Sequence, residues 1–249
     1  MDDLKDPTRI SPLDSEPWVK LANGKDLETW SREDEIAYNQ ASRQTEKLAF
    51  YVQAFDFLSD NKVEGDYFEF GCHRVRTFRM ALTEARRHNL AAMNFLAFDS
   101  FAGLPEPTTA PSVTMWKQGV LCTTEEQFRE HIRAHGIYTD RVRTIKGFYD
   151  QSLTSTLQKE LLGRDRKISM ACIDCDLYES AIPVFDFIEP LLQEGTLIYM
   201  DDLFAGYKGS PAKGVARAFR EYQDRSRWKF VPHMQIGWWG RSFIAYQES

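Results

Sequence analysis

The chain lacks an apolar run of membrane length. Its longest mostly apolar stretch, Leu90 to Phe98, falls far short of the roughly 20 residues a bilayer needs. The leading residues, MDDLKDPTRI, are acidic and polar, so no secretory signal is expected. Cysteine is scarce. Cys72, Cys122, Cys172 and Cys175 are the only four in 249 residues, and reduced thiols in a cytoplasmic setting are expected. Cys172 and Cys175 form a CxxC, but no second CxxC completes a zinc site. The pair also sits inside the apolar segment ISMACIDCD, where small core thiols are the better reading. There is no basic stripe. With 31 Lys and Arg against 37 Asp and Glu, nucleic-acid binding is not expected. GxxxxGK[ST], GxSxG and HExxH are absent, which argues against P-loop, serine-hydrolase and zinc-protease chemistry. GxGxxG is absent too, which argues against a nicotinamide-dependent oxidoreductase. His131 and His135 share a helix face without a third ligand and read as surface residues.

What is present is ample core material. Apolar residues make up 43% of the chain, and 17 Phe, 10 Tyr and 6 Trp exclude wholesale disorder. Charge is uneven. Residues 1–60 carry 13 acidic and 7 basic side chains, and the remainder balances at 24 of each sign. Residues 1–30, with Pro7, Pro12 and Pro17, read as an irregular acidic arm, either solvated or a lid. A long helix is expected from about Glu33 to Leu58, with Leu48, Val52, Phe55 and Leu58 on its apolar face. The expected division is an arm and helix over 1–60, used as a lid or an oligomer contact, and a main domain over 61–249.

From there, strand and helix patterns alternate. Strands are expected at 66–70, 94–98, 141–145, 167–173 and 196–200. Helices are expected around Phe78–Ala85, from the capping-box pair Thr124 and Gln127 to His135, over Glu179–Leu192, and from Ser210 and Pro211 to Arg227. Phe230–Ile236 and Ser242–Tyr246, joined by GWWGR, read as a hairpin. Continuous apolar strands alternating with helices imply an α/β fold, a mostly parallel sheet covered on both faces. The hairpin would add antiparallel edge strands. Trp116, Tyr149, Tyr178, Trp238 and Trp239 read mainly as packing residues.

Ligands of such sheets bind at the carboxyl ends of the strands. There the sequence places Glu69 and Gly71, Asp99 and Ser100, Asp174 and Asp176, and Asp201 and Asp202. Six carboxylates on one edge repel unless something compensates. Asp174, Asp201 and Asp202 offer hard oxygen donors without His or Cys, a set that favours Mg²⁺. The competing reading pairs Asp201 and Asp202 with Lys208 or Lys213. An acidic residue ending the second strand, Asp99, suits ribose hydroxyls.

Four segments together carry a resemblance: EFG at 69–71, FDSFAGLPEP at 98–107, IDCDLYES at 173–180 and MDDL at 200–203. Over roughly residues 45–245 the chain resembles the macrocin O-methyltransferases. These are metal-dependent class I enzymes that use S-adenosylmethionine (SAM) to methylate sugar hydroxyls of natural products. The resemblance implies a Rossmann-like, seven-stranded sheet with a C-terminal antiparallel hairpin, and a methyltransferase domain over 61–249. It implies that Glu69, Gly71, Asp99, Ser100 and Asp174 contact SAM, with Glu69 and Gly71 at its methionine end and Asp99 at its ribose. It implies Mg²⁺ on Asp174, Asp201 and Asp202, Asp176 as general base, a hydroxylated small-molecule acceptor, and a homo-oligomer. The chain departs from the family at the turn after the first strand. A second glycine is usual about four residues after the first; here Cys72-His73-Arg74-Val75-Arg76 follows Gly71. Arg74 or Arg76 either pairs with the SAM carboxylate or faces solvent. Two alternatives stay open: a methyltransferase for catechol-like phenols, and a non-catalytic module of the same fold.

Overall fold

A computed structural model of the chain describes residues 24–108, 111 and 116–248. The proline-containing arm expected over the leading residues therefore lies outside the described residues up to position 23. The chain divides between Glu46 and Lys47 into a small leading unit and a large one. In the leading unit, Gly24–Thr29 forms a short helix, α1, where irregular chain was expected. Helix α2 spans Arg32–Asp60 and crosses the division. Ser31 starts it: its hydroxyl and N–H both donate to Asp34 Oδ2, at 2.8 and 2.9 Å.

In the large unit, the rest of α2 buries Lys47, Phe50, Tyr51, Ala54, Phe55 and Leu58. The face is rotated from the expected one. Leu48 is 44% exposed, and Lys47 takes the buried stripe, one turn before Tyr51. The strands follow as β1 (Asp66–Phe70), β2 (Phe95–Asp99), β3 (Val142–Lys146), β4 (Ile168–Ile173), β5 (Leu197–Met200), β6 (Lys229–Ile236) and β7 (Gly240–Tyr246). They form one seven-stranded sheet in the order β3-β2-β1-β4-β5-β7-β6. The first five are parallel, and β7 returns antiparallel to β5. β1, β4 and β5 are buried at every position, as their unbroken apolar runs demand.

Two large clusters of side chains cover the two faces. On one, α2 and α3 (Arg76–Arg87) pack through Tyr51, Phe55, Phe78 and Leu82. On the other, α7 (Tyr178–Ile188) and α8 (Gly214–Arg225) pack through Val184, Phe185, Phe219 and Tyr222. α4 (Glu125–His135) carries the expected capping box on Thr124 and Gln127. α5 (Tyr149–Ser152) and α6 (Ser155–Gly163) fill a stretch with no expected element. The helix expected to reach Leu192 stops at Ile188, and a 3₁₀ turn continues through Leu191. Pro190 has no N–H to extend the α-helical ladder. The last helix starts at Gly214, three residues beyond Pro211, which belongs to the preceding turn. Among the described residues, no helix is long and apolar enough to cross a membrane.

Candidate active site

The site follows from strand register. Phe70 pairs with Phe98 on one side and Ile173 on the other, and Ile173 pairs with Met200. The next residues on each strand must then lie level: Gly71, Asp99, Asp174 and Asp201. Backbone bonds extend the ladder one rung to hold them. The N–H of Asp174 donates to Phe70 O at 2.8 Å, and that of Asp201 to Ile173 O at 3.0 Å. Gly71 is required by this closeness. A Cβ there would lie 1.8 Å from Asp174 O, and its φ is +91°.

Asp174, Asp201 and Asp202 each present an oxygen, all within 4.8 Å of one another. Their charge partner is neither Lys208 nor Lys213, both of which are exposed. It is Lys47, from the buried face of α2. Its ammonium donates to Asp201 Oδ2 at 2.8 Å and reaches Asp174 Oδ2 at 3.4 Å. Burial opposes the charge on Lys47, but the two aspartates outweigh it and raise its pKa. Asp201 also accepts from Tyr199 OH and, at 3.0 Å, from Trp239 Nε1. Burial would push Asp201 up, yet Lys47 first, and the Tyr199 hydroxyl, hold it below the ordinary carboxylate value. Asp174 is pushed up to about 7 by burial and by Asp201, against Lys47.

Asp176 stands on a strained turn. Its φ is +61°, and Leu177 N–H closes back on Cys175 O at 2.6 Å. The turn aims a buried carboxyl at its neighbours on β4 and β5. Burial first, then Asp174, raises its pKa well above the usual range. Asp202 is raised in the same way, by burial and then by Asp176. Asp202 Oδ2 is buried without a hydrogen-bond partner among the described residues.

The turn after β1 answers the departure noted in the sequence. Arg74 and Val75 both have positive φ, 58° and 57°. Val75 stands four residues after Gly71, where a second glycine is usual, and keeps the left-handed backbone that glycine would give. A β-branched residue there is strained by about 1–2 kcal/mol. Its buried side chain and a tie to the loop after β2 offset that cost: Arg74 N–H donates to Thr123 Oγ1 at 2.9 Å, and His73 Nδ1 lies 3.0 Å from the same hydroxyl. At the end of β2, Asp99 accepts from Cys72 N–H and Phe101 N–H, both at 2.6 Å. Its carboxylate is thus fixed in orientation and keeps lone pairs for another donor. Ser100 Oγ donates to Gly103 O at 2.7 Å and shapes the following turn.

Glu69 lies in the core, next to the end of β1. It is fully buried, and its oxygens are taken by Tyr67 OH and, at 2.9 Å, by Thr77 Oγ1. Burial pushes its pKa up to about 8. It supports the turn from within the core. Of the aromatics read as packing residues, Trp116 and Trp239 are buried, while Trp238 is 68% exposed at the hairpin tip. Cys172 and Cys175 are buried free thiols.

Residues 28–243 match the family described as Macrocin-O-methyltransferase (TylF). A curated relative from Streptomyces olivaceus, 8-demethyl-8-(2,3-dimethoxy-alpha-L-rhamnosyl)-tetracenomycin-C 4'-O-methyltransferase, is 29% identical over 147 residues. That match covers 56% of this chain and 53% of the relative, about half the length of each. The fold is shared with the solved structure of the O-methyltransferase NovP (22% identity, TM-score 0.63, 80% of this chain and 79% of that one). It is shared equally with CalS11, a calicheamicin methyltransferase (18% identity, TM-score 0.64, 94% and 99%).

Proposed function

The chain belongs to the macrocin-O-methyltransferase (TylF) family, and from that membership we propose that it moves a methyl group from SAM to a hydroxyl of a sugar-bearing natural product, with Mg²⁺ held by Asp174, Asp201 and Asp202. The observation that carries this reading is the level row of carboxylates, with one buried Asp202 oxygen left unpartnered. Such an oxygen is costly unless a cation completes it. Three oxygen donors and no nitrogen or sulfur suit a hard divalent ion. Lys47 and two other donors already hold Asp201, which leaves Asp202 and Asp174 the more open ligands. An ion bound there would polarise an acceptor hydroxyl and lower its pKa.

SAM, when bound, supplies an electrophilic methyl on a sulfonium. The chain's own residues do the rest. Asp99, oriented by two backbone N–H groups, accepts from the ribose hydroxyls. Gly71 and the left-handed turn let backbone approach the methionine end, and Glu69 braces that turn. A carboxylate oxygen of Asp176 takes the acceptor proton. Burial and neighbouring negative charge make it a stronger base than an ordinary aspartate, the property an alcohol acceptor needs. A phenol, being more acidic, would need less. That difference favours the sugar over the catechol-like reading. The retained aspartates and the preserved left-handed backbone argue against a non-catalytic module. The relative's name places its methyl on a rhamnosyl group, so a deoxyhexose is the first acceptor class to try. The reading includes a cytosolic enzyme, in keeping with its free thiols, and a homo-oligomer.

The test is transfer of labelled methyl from SAM to rhamnosylated acceptors. Transfer that requires Mg²⁺, stops with EDTA and is abolished by Asp176→Asn, with cofactor binding intact, is expected. Undiminished turnover in that variant would remove Asp176 as base, and full activity in EDTA would remove the metal.

A further inference from the structure

The strand-end row carries a cation of its own. Lys47 is only 7% exposed and comes from the buried face of α2. Its Nζ lies 2.8 Å from Asp201 Oδ2 and 3.4 Å from Asp174 Oδ2, so one ammonium bridges the ends of two neighbouring strands. Bridging of that kind is what the second ion does in sites that hold two divalent ions about 3.5–4 Å apart. The three candidate ligands offer oxygens all within 4.8 Å of one another, close enough for such a pair.

The remaining contacts divide the row unequally. Asp201 Oδ1 accepts from Tyr199 OH and, at 3.0 Å, from Trp239 Nε1. With Oδ2 on the ammonium, both oxygens of Asp201 are engaged. Asp202 Oδ2 is buried and has no hydrogen-bond partner among the described residues. The row is therefore satisfied at Asp201 and unsatisfied at Asp202. Charge counting gives the same division. Asp174, Asp201 and Asp202 carry three negative charges, and one ammonium with one divalent ion carries three positive ones. A second divalent ion beside the ammonium would leave positive charge in excess among these buried groups, where low dielectric makes the repulsion strong. Without the ammonium, one divalent ion leaves a negative charge that a second cation would meet.

We propose that Lys47 stands in the place of a second metal ion, so that the row takes one divalent cation and no more. This rests on the metal reading given under the proposed function and deepens it: it states how many ions the row accepts and which side chain sets that number. Lys47 acts only through Asp174 and Asp201 and takes no proton from the reaction.

Mn²⁺ is the probe, and the number bound per chain is counted by titration against the paramagnetic resonance signal of the free ion. Wild type, Lys47→Met, Asp201→Asn and the double variant are compared, each checked for folding by circular dichroism. Wild type is expected to bind one ion. Lys47→Met is expected to bind two, with the spin coupling of a close pair. Asp201→Asn leaves the ammonium in excess and should bind its ion about tenfold or more weakly than wild type, and Lys47→Met added to it should recover that loss. This last comparison does not depend on Lys47→Met folding alone, because the double variant removes both partners of the pair and strands neither. Two ions in wild type, one ion in folded Lys47→Met, or a double variant that binds no more tightly than Asp201→Asn overturns the assignment of Lys47. Failure of the metal reading itself shows separately, as absent Mn²⁺ binding by wild type, and overturns both.

Discussion

Lys47→Met removes the cation that pairs with Asp174 and Asp201 in the acidic row while keeping a similar apolar stem. The ammonium lies 2.8 Å from Asp201 and 3.4 Å from Asp174. At an effective dielectric of about 20, those separations correspond to gross attractions of about 6 and about 5 kcal/mol. Desolvation of three buried charges offsets most of that sum. What survives deletion of one partner is the cost of stranded charge, about 3–5 kcal/mol. For a chain of this size that is a fall in melting temperature of roughly 6 to 20 °C. Urea unfolding followed by circular dichroism measures it. The loss should shrink at acid pH, because Asp174, already pushed up to about 7, can take a proton in place of the missing cation. Millimolar Mn²⁺ should stabilise the variant more than the wild type, since the ion then meets the carboxylates without a competing ammonium. A loss below about 1 kcal/mol would mean the pair behaves as a solvated surface pair. Equal or smaller stabilisation by Mn²⁺ would mean Lys47 does not compete with a metal. Either result refutes the reasoning.

Other expectations follow from the same geometry. Glu69 has a folded pKa of about 8 against an ordinary 4.5, so the native state holds a proton that the unfolded chain releases. Its contribution is complete below pH 4.5 and is lost as pH rises toward 8, by up to about 1.4 kcal/mol per pH unit. Glu69→Gln should flatten that slope in urea midpoints taken across the window; an unchanged slope would show that Glu69 is ionised in the core. Gly71→Ala should abolish cofactor binding and destabilise the fold, because its Cβ would lie 1.8 Å from Asp174 O. Wild-type calorimetry and wild-type melting in that variant would contradict the close approach.

Much of this was readable in the sequence, for definite reasons. Parallel strands buried on both faces announce themselves as continuous apolar runs, and their ends gave the carboxylates directly. The register that levels Gly71, Asp99, Asp174 and Asp201 comes from the structure alone. Lys47 escaped notice because lysine on a helix ordinarily marks the solvent face. Its spacing from Tyr51, Ala54, Phe55 and Leu58 was the available signal, one turn upstream on the same stripe. The burial of Glu69 was not legible from its place next to the end of β1. Yet it shares a face with Tyr67, two residues earlier, and that face is covered by α2 and α3. α5 and α6 went unread because only Leu157 and Leu161 of their residues are buried, too few to set a period.

Calorimetric titration of the purified protein with S-adenosylhomocysteine, with and without Mg²⁺, tests the central claim most directly. Micromolar binding is predicted, since Val75 preserves the left-handed turn and Asp99 is pre-oriented. Absence of binding in both conditions, from a folded sample, would contradict the assignment of the strand-end row as a SAM site.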